Sequence, residues 1–542
     1  KLSQEALEVS KKMYEYAEKI NVANEPNVLY GTKKGGFDVV LGNPPYVRLQ
    51  GLKTNYKKES FFYEKHFKSA TSNYDIYVLF LEKSLNLIKP SGRISFILPH
   101  KFLISEFGKG IRGLFTEKKA VESLVHFGSD MVFADASTYT CIINLSFGNN
   151  LLKFKQLKPE QISSPFTFDE ISYNKLSSDK WNLNEPGVSN VLEKLNKQPL
   201  RVKDVFAKIF VGLQTSADNV YLIKGKQIGT YVEGYSKELD TYVKIETDLT
   251  KPMLKGEDVS KYKHLENQYF VIFPYLIENG KASPMTESFI KENFPLGYKY
   301  LKENETFLRK REKNKMDKEG WFLYIYPKNL TEFEQPKIIT SYMGIHANMS
   351  YDTNNFYHNT KCYSFVKQDC VLEDYRYFIA LLNSSVFWFY IKNTSTVFRG
   401  GYYTFATKQV EPFPLPQLKD ISQQDIFIEK VDLMLSLNKD FQEKIDKFIR
   451  NIQREFSLEK ISKKMQNWHE TSYSDFLKEL EKQKVKLSLS QKAEWEDYFL
   501  SESQKANDLQ SKITHTDKEI DRMVYELYEL TEEEIKIVEG VI

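Results

Sequence analysis

Four consecutive residues, Asn43-Pro44-Pro45-Tyr46, have groups that could direct chemistry at an aromatic amine. Such an amine is a poor nucleophile because its lone pair is delocalised into the ring. The side-chain oxygen of Asn43 and the carbonyl of Pro44 could accept its two hydrogens, which would free the lone pair to attack a methyl sulfonium. Two prolines fix φ and hold these acceptors in place. Tyr46 could then stack on a base that has left the duplex.

A purely structural role is the alternative for these residues. The two prolines would then only end a strand, and Tyr46 would pack beneath the turn. This alternative carries weight for Tyr46 by itself but little for the four residues together. Their position after an apolar strand and Gly42 indicates an amino methyltransferase.

Alternating strands and helices are predicted around this loop. The nearly all-apolar segment Phe37–Gly42 predicts a central strand of a parallel sheet. The further predictions are helices over 3–20, 75–87 and 105–115, and strands over 94–99, 121–127 and 139–147. This alternation is typical of an α/β layered sheet.

The pattern along the chain changes twice more. From about residue 161 to 420 short strands, Gly and Asn turns and scattered aromatics predict an α+β domain, with strands over 205–211, 220–224, 269–273 and 337–341. Residues 421–542 predict long amphipathic helices that brace that domain. Near the end, Thr531-Glu532-Glu533-Glu534 is a capping-box pattern that opens a last short helix.

Several segments follow one known family in order. They are the four-residue loop, Tyr77–Ser84, Leu87–Gly92, Ile94–Pro99 and Phe133–Cys141. The chain thus resembles the gamma-class adenine-N6 DNA methyltransferases with a TaqI-type specificity domain, as in type IIG restriction–modification proteins. The resemblance implies part of a Rossmann-like methyltransferase sheet over residues 1–160 and a DNA target-recognition domain over 161–420. It also implies S-adenosylmethionine as cofactor and double-stranded DNA as partner.

Site roles also follow from the resemblance. Phe133 would face Tyr46 across a flipped-out adenine. Phe80 would pack on the cofactor's adenine ring, and Asn43 would lie beside its methyl group. A core role for Phe80 and a stacking role for Tyr139 in place of Phe133 remain open.

The family's glycine-rich cofactor turn, with its acidic residue, does not precede the loop. The glycines of 31–36 do not follow an apolar strand, as such a turn requires. We therefore expect this chain to hold roughly the second half of the catalytic domain. Most of the cofactor site would lie upstream, in a missing partner segment that could also carry a nuclease domain. No nuclease site is assigned here.

Basic residues cluster most densely at Arg309-Lys310-Arg311, in a run that continues to Lys318. Such a cluster predicts phosphate contacts on DNA. Interleaved glutamates leave a solvated helix face as the alternative.

A second predicted DNA-contacting segment runs from Arg399 through two glycines to Tyr402 and Tyr403, where backbone amides could approach phosphates. Gln214 could read a base edge, and a turn role for it is equally open. His100 and Lys101 follow a strand end and are expected to be loop residues without a catalytic role.

The composition of the chain bears on which other functional classes are possible. A net charge of +3 does not by itself indicate a nucleic-acid binder, and the three cysteines suit neither a disulfide framework nor a metal site. The low cysteine count makes a reduced, cytoplasmic compartment the expectation, and no uninterrupted apolar stretch reaches membrane-spanning length. The rival functions are methylation of another amine (protein glutamine, RNA adenine or cytosine N4) and a DNA-binding specificity module without activity.

Overall fold

The computed structural model describes residues 36–47, 57–128, 130–133, 138–181, 183–458 and 460–541. The helix predicted over 3–20 lies outside these ranges. Internal contacts divide the chain into two units. The first unit comprises residues 1–190 and 392–403, and the second comprises 191–391 and 404–542.

A six-stranded mixed sheet forms the first unit, in the order β1-β2-β4-β3-β5-β6. Its strands are β1 (Phe37–Gly42), β2 (Ile88–Pro99), β3 (Val121–His126), β4 (Thr140–Leu145), β5 (Leu151–Gln156) and β6 (Asp169–Ser172). β1 runs parallel to β2, and β3 runs parallel to β5, whereas β4 is antiparallel to both β2 and β3. The carboxyl ends of β1, β2 and β3 therefore meet the amino end of β4 at one edge of the sheet.

The position of β1 differs from the prediction. In the part of the chain that the structure describes, β1 is an edge strand and not a central one. Val39 is 58% exposed and Leu41 is 73% exposed. The parallel pairing of β1 with β2 agrees with the prediction, but an apolar segment alone does not reveal how many neighbours a strand has.

Helices cover the sheet of the first unit. They are α1 (Lys57–His66), α2 (Tyr77–Leu87) and α3 (Lys109–Lys118). Leu81, Leu98, Phe115 and Ile143 are fully buried where α2 and α3 pack on the sheet. Burial of this apolar surface is the main stabilising contribution.

The second unit contains further strands in several sheets. β7 (Leu200–Arg201) pairs with β22 (Pro414–Leu415). One sheet has the order β11-β10-β9-β13-β12-β19, another has the order β18-β16-β20-β8, and β14 pairs with β15. The bounds are β8 (Phe206–Val211), β9 (Leu222–Ile228), β10 (Tyr231–Ser236), β11 (Thr241–Glu246), β12 (Thr250–Leu254), β13 (Tyr269–Ile272), β14 (Tyr275–Glu278), β15 (Lys281–Pro284), β16 (Lys337–Ser341), β17 (Met343–Gly344), β18 (Ser350–Asp352), β19 (Tyr357–His358) and β20 (Cys362–Lys367). The two-residue strand β21 (Tyr403–Thr404) lies where the chain passes from the first unit to the second.

Short helices lie between these strands, and long helices follow them. The shorter ones are α4 (Pro186–Asn196), α5 (Val202–Val205), α6 (Asp218–Tyr221), α7 (Glu287–Asn293), α8 (Pro295–Glu303), α9 (Glu305–Asn314), α10 (Tyr375–Asn383), α11 (Ser385–Thr394) and α12 (Thr407–Val410). The carboxyl-terminal ones are α13 (Asp425–Phe456), α14 (Lys463–Gln466), α15 (Tyr473–Lys482), α16 (Leu489–Leu527) and α17 (Glu532–Glu539). The strand predicted over 220–224 begins as α6 and becomes β9 only at Leu222.

The long helix α16 takes part in two regions of the second unit. In its first half, Phe499 packs against Phe476 in an aromatic core, with ring centroids 5.0 Å apart. Near its end, Asp517 forms an ion pair with Lys261 at 2.7 Å, and Asp521 accepts the backbone N–H of Ser385 at 2.7 Å.

The predicted capping box at the last helix is confirmed. The Thr531 hydroxyl accepts the backbone N–H of Glu534, and the Glu534 carboxylate accepts that of Thr531. Among the helices described here, none is both long and apolar enough to cross a bilayer.

Candidate functional site

The Asn43–Tyr46 loop begins where β1 ends, at the sheet edge described above. The Asn43 side chain is exposed, Pro44 is buried, and Tyr46 is half-buried. A carboxamide at the carboxyl end of a parallel strand is in the usual place for ligand contact in an open α/β sheet.

Two hydrogen bonds hold this loop. The Tyr46 hydroxyl donates to the carbonyl of Ile97 in β2 at 3.2 Å, and the Ile76 backbone N–H donates to the Val47 carbonyl at 2.9 Å. Burial raises the pKa of Tyr46 to about 12, and Cys141 adds to the effect, so the phenol stays a neutral donor. The far end of the loop is therefore tied to β2 through Tyr46 and to the start of α2 through Val47.

Three rings stack beside the loop, at the ends of β2 and β3 and the start of β4. The centroids of His100 and His126 are 4.0 Å apart, and those of His100 and Tyr139 are 6.2 Å apart. Burial lowers the pKa of His100 to about 4 and that of His126 well below its usual value. Both imidazoles are neutral at pH 7.

The structure therefore gives His100 a packing role. Lys101 beside it is exposed, as expected of a loop residue. His126 escaped the sequence analysis, although its place at the end of an apolar strand matches that of His100 and could have indicated it.

Tyr139 also joins the site to a distant segment. Its hydroxyl donates to the carbonyl of Phe398 at 2.9 Å. This contact lies within the first unit, because residues 392–403 belong to that unit. Phe398 directly precedes the predicted DNA-contacting segment, so this hydrogen bond ties that segment to Tyr139. Within it, Arg399 and Tyr402 are exposed and Tyr403 is half-buried.

Phe133 is half-buried, and residues 134–137 lie outside the described ranges. Its proposed stacking opposite Tyr46 stays a prediction.

Phe80 lies on α2, one turn after Ile76, and its ring is half-buried. The contacts of Phe80 and Asn43 with S-adenosylmethionine stay a prediction. The glycine-rich turn that would face the other side of the cofactor has no counterpart in the described part of the chain. The core alternative for Phe80 also has support, since the side chain packs against the sheet core.

The position of Arg311 differs from the prediction, which required an exposed side chain. Its guanidinium is buried, and it donates to the carbonyls of Thr215, Trp321 and Leu323 at 3.2, 2.7 and 2.9 Å. The physical reason is a kink: Arg311 leaves helical geometry, and Glu312 and Lys313 adopt positive φ. The prediction of a phosphate contact by Arg311 is wrong.

The other two basic residues differ from one another. Arg309 pairs with Glu305 at 2.8 Å and with Asp317 at 3.4 Å, which neutralises much of its charge. Lys310 is exposed.

Gln214 lies next to this basic segment. It is exposed, and its backbone pairs with Tyr326. The Tyr326 hydroxyl donates to the Glu312 carboxylate at 2.7 Å, and Arg311 bonds to Thr215, the residue after Gln214. Two candidate DNA-reading segments that are distant in sequence are thus adjacent in the second unit.

Two known protein families match the two parts of the chain that the sequence analysis distinguished. Residues 2–133 match the Eco57I restriction-modification methylase family, and residues 251–415 match the TaqI-like C-terminal specificity domain. Residues 420–524 match a domain of unknown function. The resemblance drawn from the sequence is confirmed for both the methylase and the specificity domain.

Curated relatives extend over most of the chain. It is 26% identical over 455 residues to the type II restriction enzyme and methyltransferase RM.Eco57I of Escherichia coli, covering 78% of this chain and 45% of that protein. It is 24% identical over 444 residues to the type II methyltransferase M.BstVI of Geobacillus stearothermophilus, covering 77% and 73%. The chain thus spans less than half the length of the first of these relatives.

Among solved structures, the chain is similar to the type IIL restriction-modification enzyme MmeI in complex with DNA. The TM-score is 0.46 at 13% identity, covering 78% of this chain and 51% of that chain.

Proposed function

We propose that this chain provides the amine-binding loop and the DNA-recognition region of a restriction–modification methyltransferase that methylates N6 of an extruded adenine. The observation that carries the proposal is the Asn43–Tyr46 loop, fixed to β2 through the Tyr46–Ile97 hydrogen bond at the carboxyl edge of the sheet. The relatives RM.Eco57I and M.BstVI support the reaction class.

The loop would act on the adenine amine by accepting its hydrogens. The exposed Asn43 side-chain oxygen would accept one, and the Pro44 carbonyl would accept the other. Both acceptors are held before substrate arrives, because prolines and the Tyr46 hydrogen bond restrict the loop. S-adenosylmethionine would supply an activated methyl group, with Phe80 and Asn43 as its contacts among the described residues.

The recognition region would bind duplex DNA through exposed residues of the second unit. Lys310 would contact phosphate, and Gln214 would meet a base edge. Arg309 would contribute less, because acidic partners already occupy its guanidinium.

Methyl transfer to DNA tests the proposal. The full protein and its Asn43→Ala variant are incubated with labelled S-adenosylmethionine and plasmid DNA, and the modified nucleoside is identified by mass spectrometry after digestion. We expect N6-methyladenine at one repeated sequence with the unaltered protein only. N4-methylcytosine as the product would contradict the adenine assignment, and label found in protein or RNA instead of DNA would contradict the substrate class.

A further inference from the structure

The segment Phe398–Tyr402 forms a tight hairpin, which we call the aromatic tip. The Phe398 N–H donates to the Tyr402 carbonyl at 2.7 Å, and the Gly401 N–H donates to the Phe398 carbonyl at 3.0 Å. Gly400 and Gly401 have φ of 82° and 77°, a conformation that glycine adopts without steric cost. The turn is therefore a tight loop of three residues between Phe398 and Tyr402, and it projects the residues on either side of it.

Two aromatic rings and one cation project from the aromatic tip. Phe398 is 42% exposed and Tyr402 is 43% exposed, and Arg399 between them is also exposed. Large apolar side chains grouped on an exposed turn mark a surface that binds a partner. A guanidinium beside them indicates a partner that carries negative charge.

The aromatic tip is fixed to the sheet edge that carries the Asn43–Tyr46 loop. Tyr139 donates to the Phe398 carbonyl at 2.9 Å, and Tyr139 directly precedes β4. β4 pairs with β2, with Thr140 opposite Pro99 and Ile142 opposite Ile97. Ile97 is the residue that holds the Tyr46 hydroxyl. Tyr139 itself lies opposite His100, whose backbone N–H donates to the Tyr139 carbonyl at 3.3 Å. The tip and the loop are thus anchored three residues apart, at His100 just after β2 and at Ile97 within it.

Removing a base from a duplex leaves a gap in the stack, and opening it costs a few kcal/mol. Proteins that distort DNA offset this cost by inserting apolar side chains between bases. The aromatic tip offers such side chains next to the loop that would receive the base.

We propose that the aromatic tip enters duplex DNA at the target base pair and fills the gap left by the extruded adenine, with Arg399 on an adjacent phosphate. This inference rests on the function proposed above. It assigns Phe398 and Tyr402 a positioning role, because neither would touch the reacting amine.

The test compares two DNA substrates that carry the methylation sequence found in the plasmid experiment. One is a matched duplex, and the other has an abasic site opposite the target adenine, so that extrusion breaks no base pair. The rate of a single methyl transfer is measured for the unaltered protein, for Phe398→Ala, for Tyr402→Ala and for the double variant. Tyr242→Ala, which removes a tyrosine that is 81% exposed in the second unit, is the matched control.

We expect the double variant to lose about tenfold or more on the matched duplex and much less on the abasic duplex. The control should behave as the unaltered protein on both. With 2-aminopurine as the target base, the fluorescence increase on binding should fall in the same variants. Thermal unfolding checks the fold of each variant. Phe398→Leu, which keeps an apolar wedge, should retain part of the rate.

Three other results have definite meanings. Equal losses on both duplexes would show that the aromatic tip serves binding or folding, and would overturn the inference. Unchanged rates on the matched duplex would overturn it as well. Absence of methyl transfer by the unaltered protein on either duplex would instead remove the proposed function on which the inference rests.

Discussion

The imidazole rings of His100 and His126 lie face to face, with centroids 4.0 Å apart and planes 20° from parallel. They join the end of β2 to the end of β3 at the edge where the Asn43–Tyr46 loop begins. His100 is buried and His126 is half-buried against it. Loss of water around the two adjacent rings lowers the pKa of both, so the folded protein keeps them neutral.

This histidine pair predicts a loss of stability in mild acid. An unfolded histidine takes up a proton near pH 6.5, whereas the pKa of folded His100 is about 4. Above about pH 6.5 the His100 contribution to the free energy of unfolding should be constant. As the pH falls from about 6.5 to 4, the free energy of unfolding should fall by about 3 kcal/mol because of His100. Denaturant unfolding at pH values from 8 down to 4.5 would measure it.

His126→Asn and His100→Asn each remove one of these groups and should make the acid-dependent decline shallower. His515→Asn, at a side chain that is 78% exposed, should leave the decline as it is. An identical decline in all three variants would place its origin in other groups, such as the buried His358, whose pKa burial lowers to about 3.

Asn43→Ala should reduce methyl transfer by about 100-fold or more, because one acceptor for the amine hydrogens is lost. Its stability should change by less than about 0.5 kcal/mol, since the side chain is exposed. Single-turnover methylation and thermal unfolding measure the two effects. Asn174→Ala, at another exposed asparagine, is the matched control and should leave both unchanged. A transfer rate in Asn43→Ala close to that of the control would refute the role of this carboxamide.

Tyr46→Phe separates the ring from the hydroxyl. The variant keeps the ring but loses the hydrogen bond to Ile97, and we expect a stability loss of about 1 kcal/mol with most methyl transfer retained. Tyr46→Ala should lose transfer far more strongly. If Tyr46→Phe and Tyr46→Ala lost activity equally, the hydroxyl would matter and base stacking on the ring would not.

Arg311→Met and Lys310→Ala should fail in different ways although the residues are adjacent. Arg311→Met leaves buried carbonyls without their donor and should destabilise the fold by about 3 kcal/mol or more. Lys310→Ala should leave stability unchanged, weaken DNA binding at every sequence, and lower the salt dependence of binding by about one counterion.

Fluorescence anisotropy at several salt concentrations, together with denaturant unfolding, distinguishes these two variants. Lys518→Ala, at an exposed lysine on α16, serves as the control for loss of one surface charge. A Lys310→Ala salt dependence equal to that of the control would remove Lys310 from the DNA surface.

Local patterns in the sequence predicted local structure well. The strand over Lys337–Ser341 and the Thr531 cap were correct because each depends on side chains within a few residues. The edge position of β1 among the described strands was not predicted, since strand order depends on pairing between distant segments.

In the candidate site, too, features set by neighbouring residues were predicted and features set by distant contacts were not. The Asn43–Tyr46 loop was found because four adjacent residues define it. Arg311 turns inward because Glu312 and Lys313 adopt positive φ. Such a backbone conformation is not predicted from the types of these residues. The contact of Tyr139 with Phe398 joins residues 259 positions apart, and no periodicity reports such a contact.

The helix α16 has a mechanical consequence. Phe499 sits in the aromatic core and Asp521 holds Ser385, and these two points are about 33 Å apart along one helix at 1.5 Å per residue. Because one continuous helix joins the two points, a bend anywhere between them would change how the aromatic core and the Ser385 region are oriented. Inserting a glycine pair midway along α16 would weaken the helix at that point by about 1 kcal/mol per glycine and make such a bend easier.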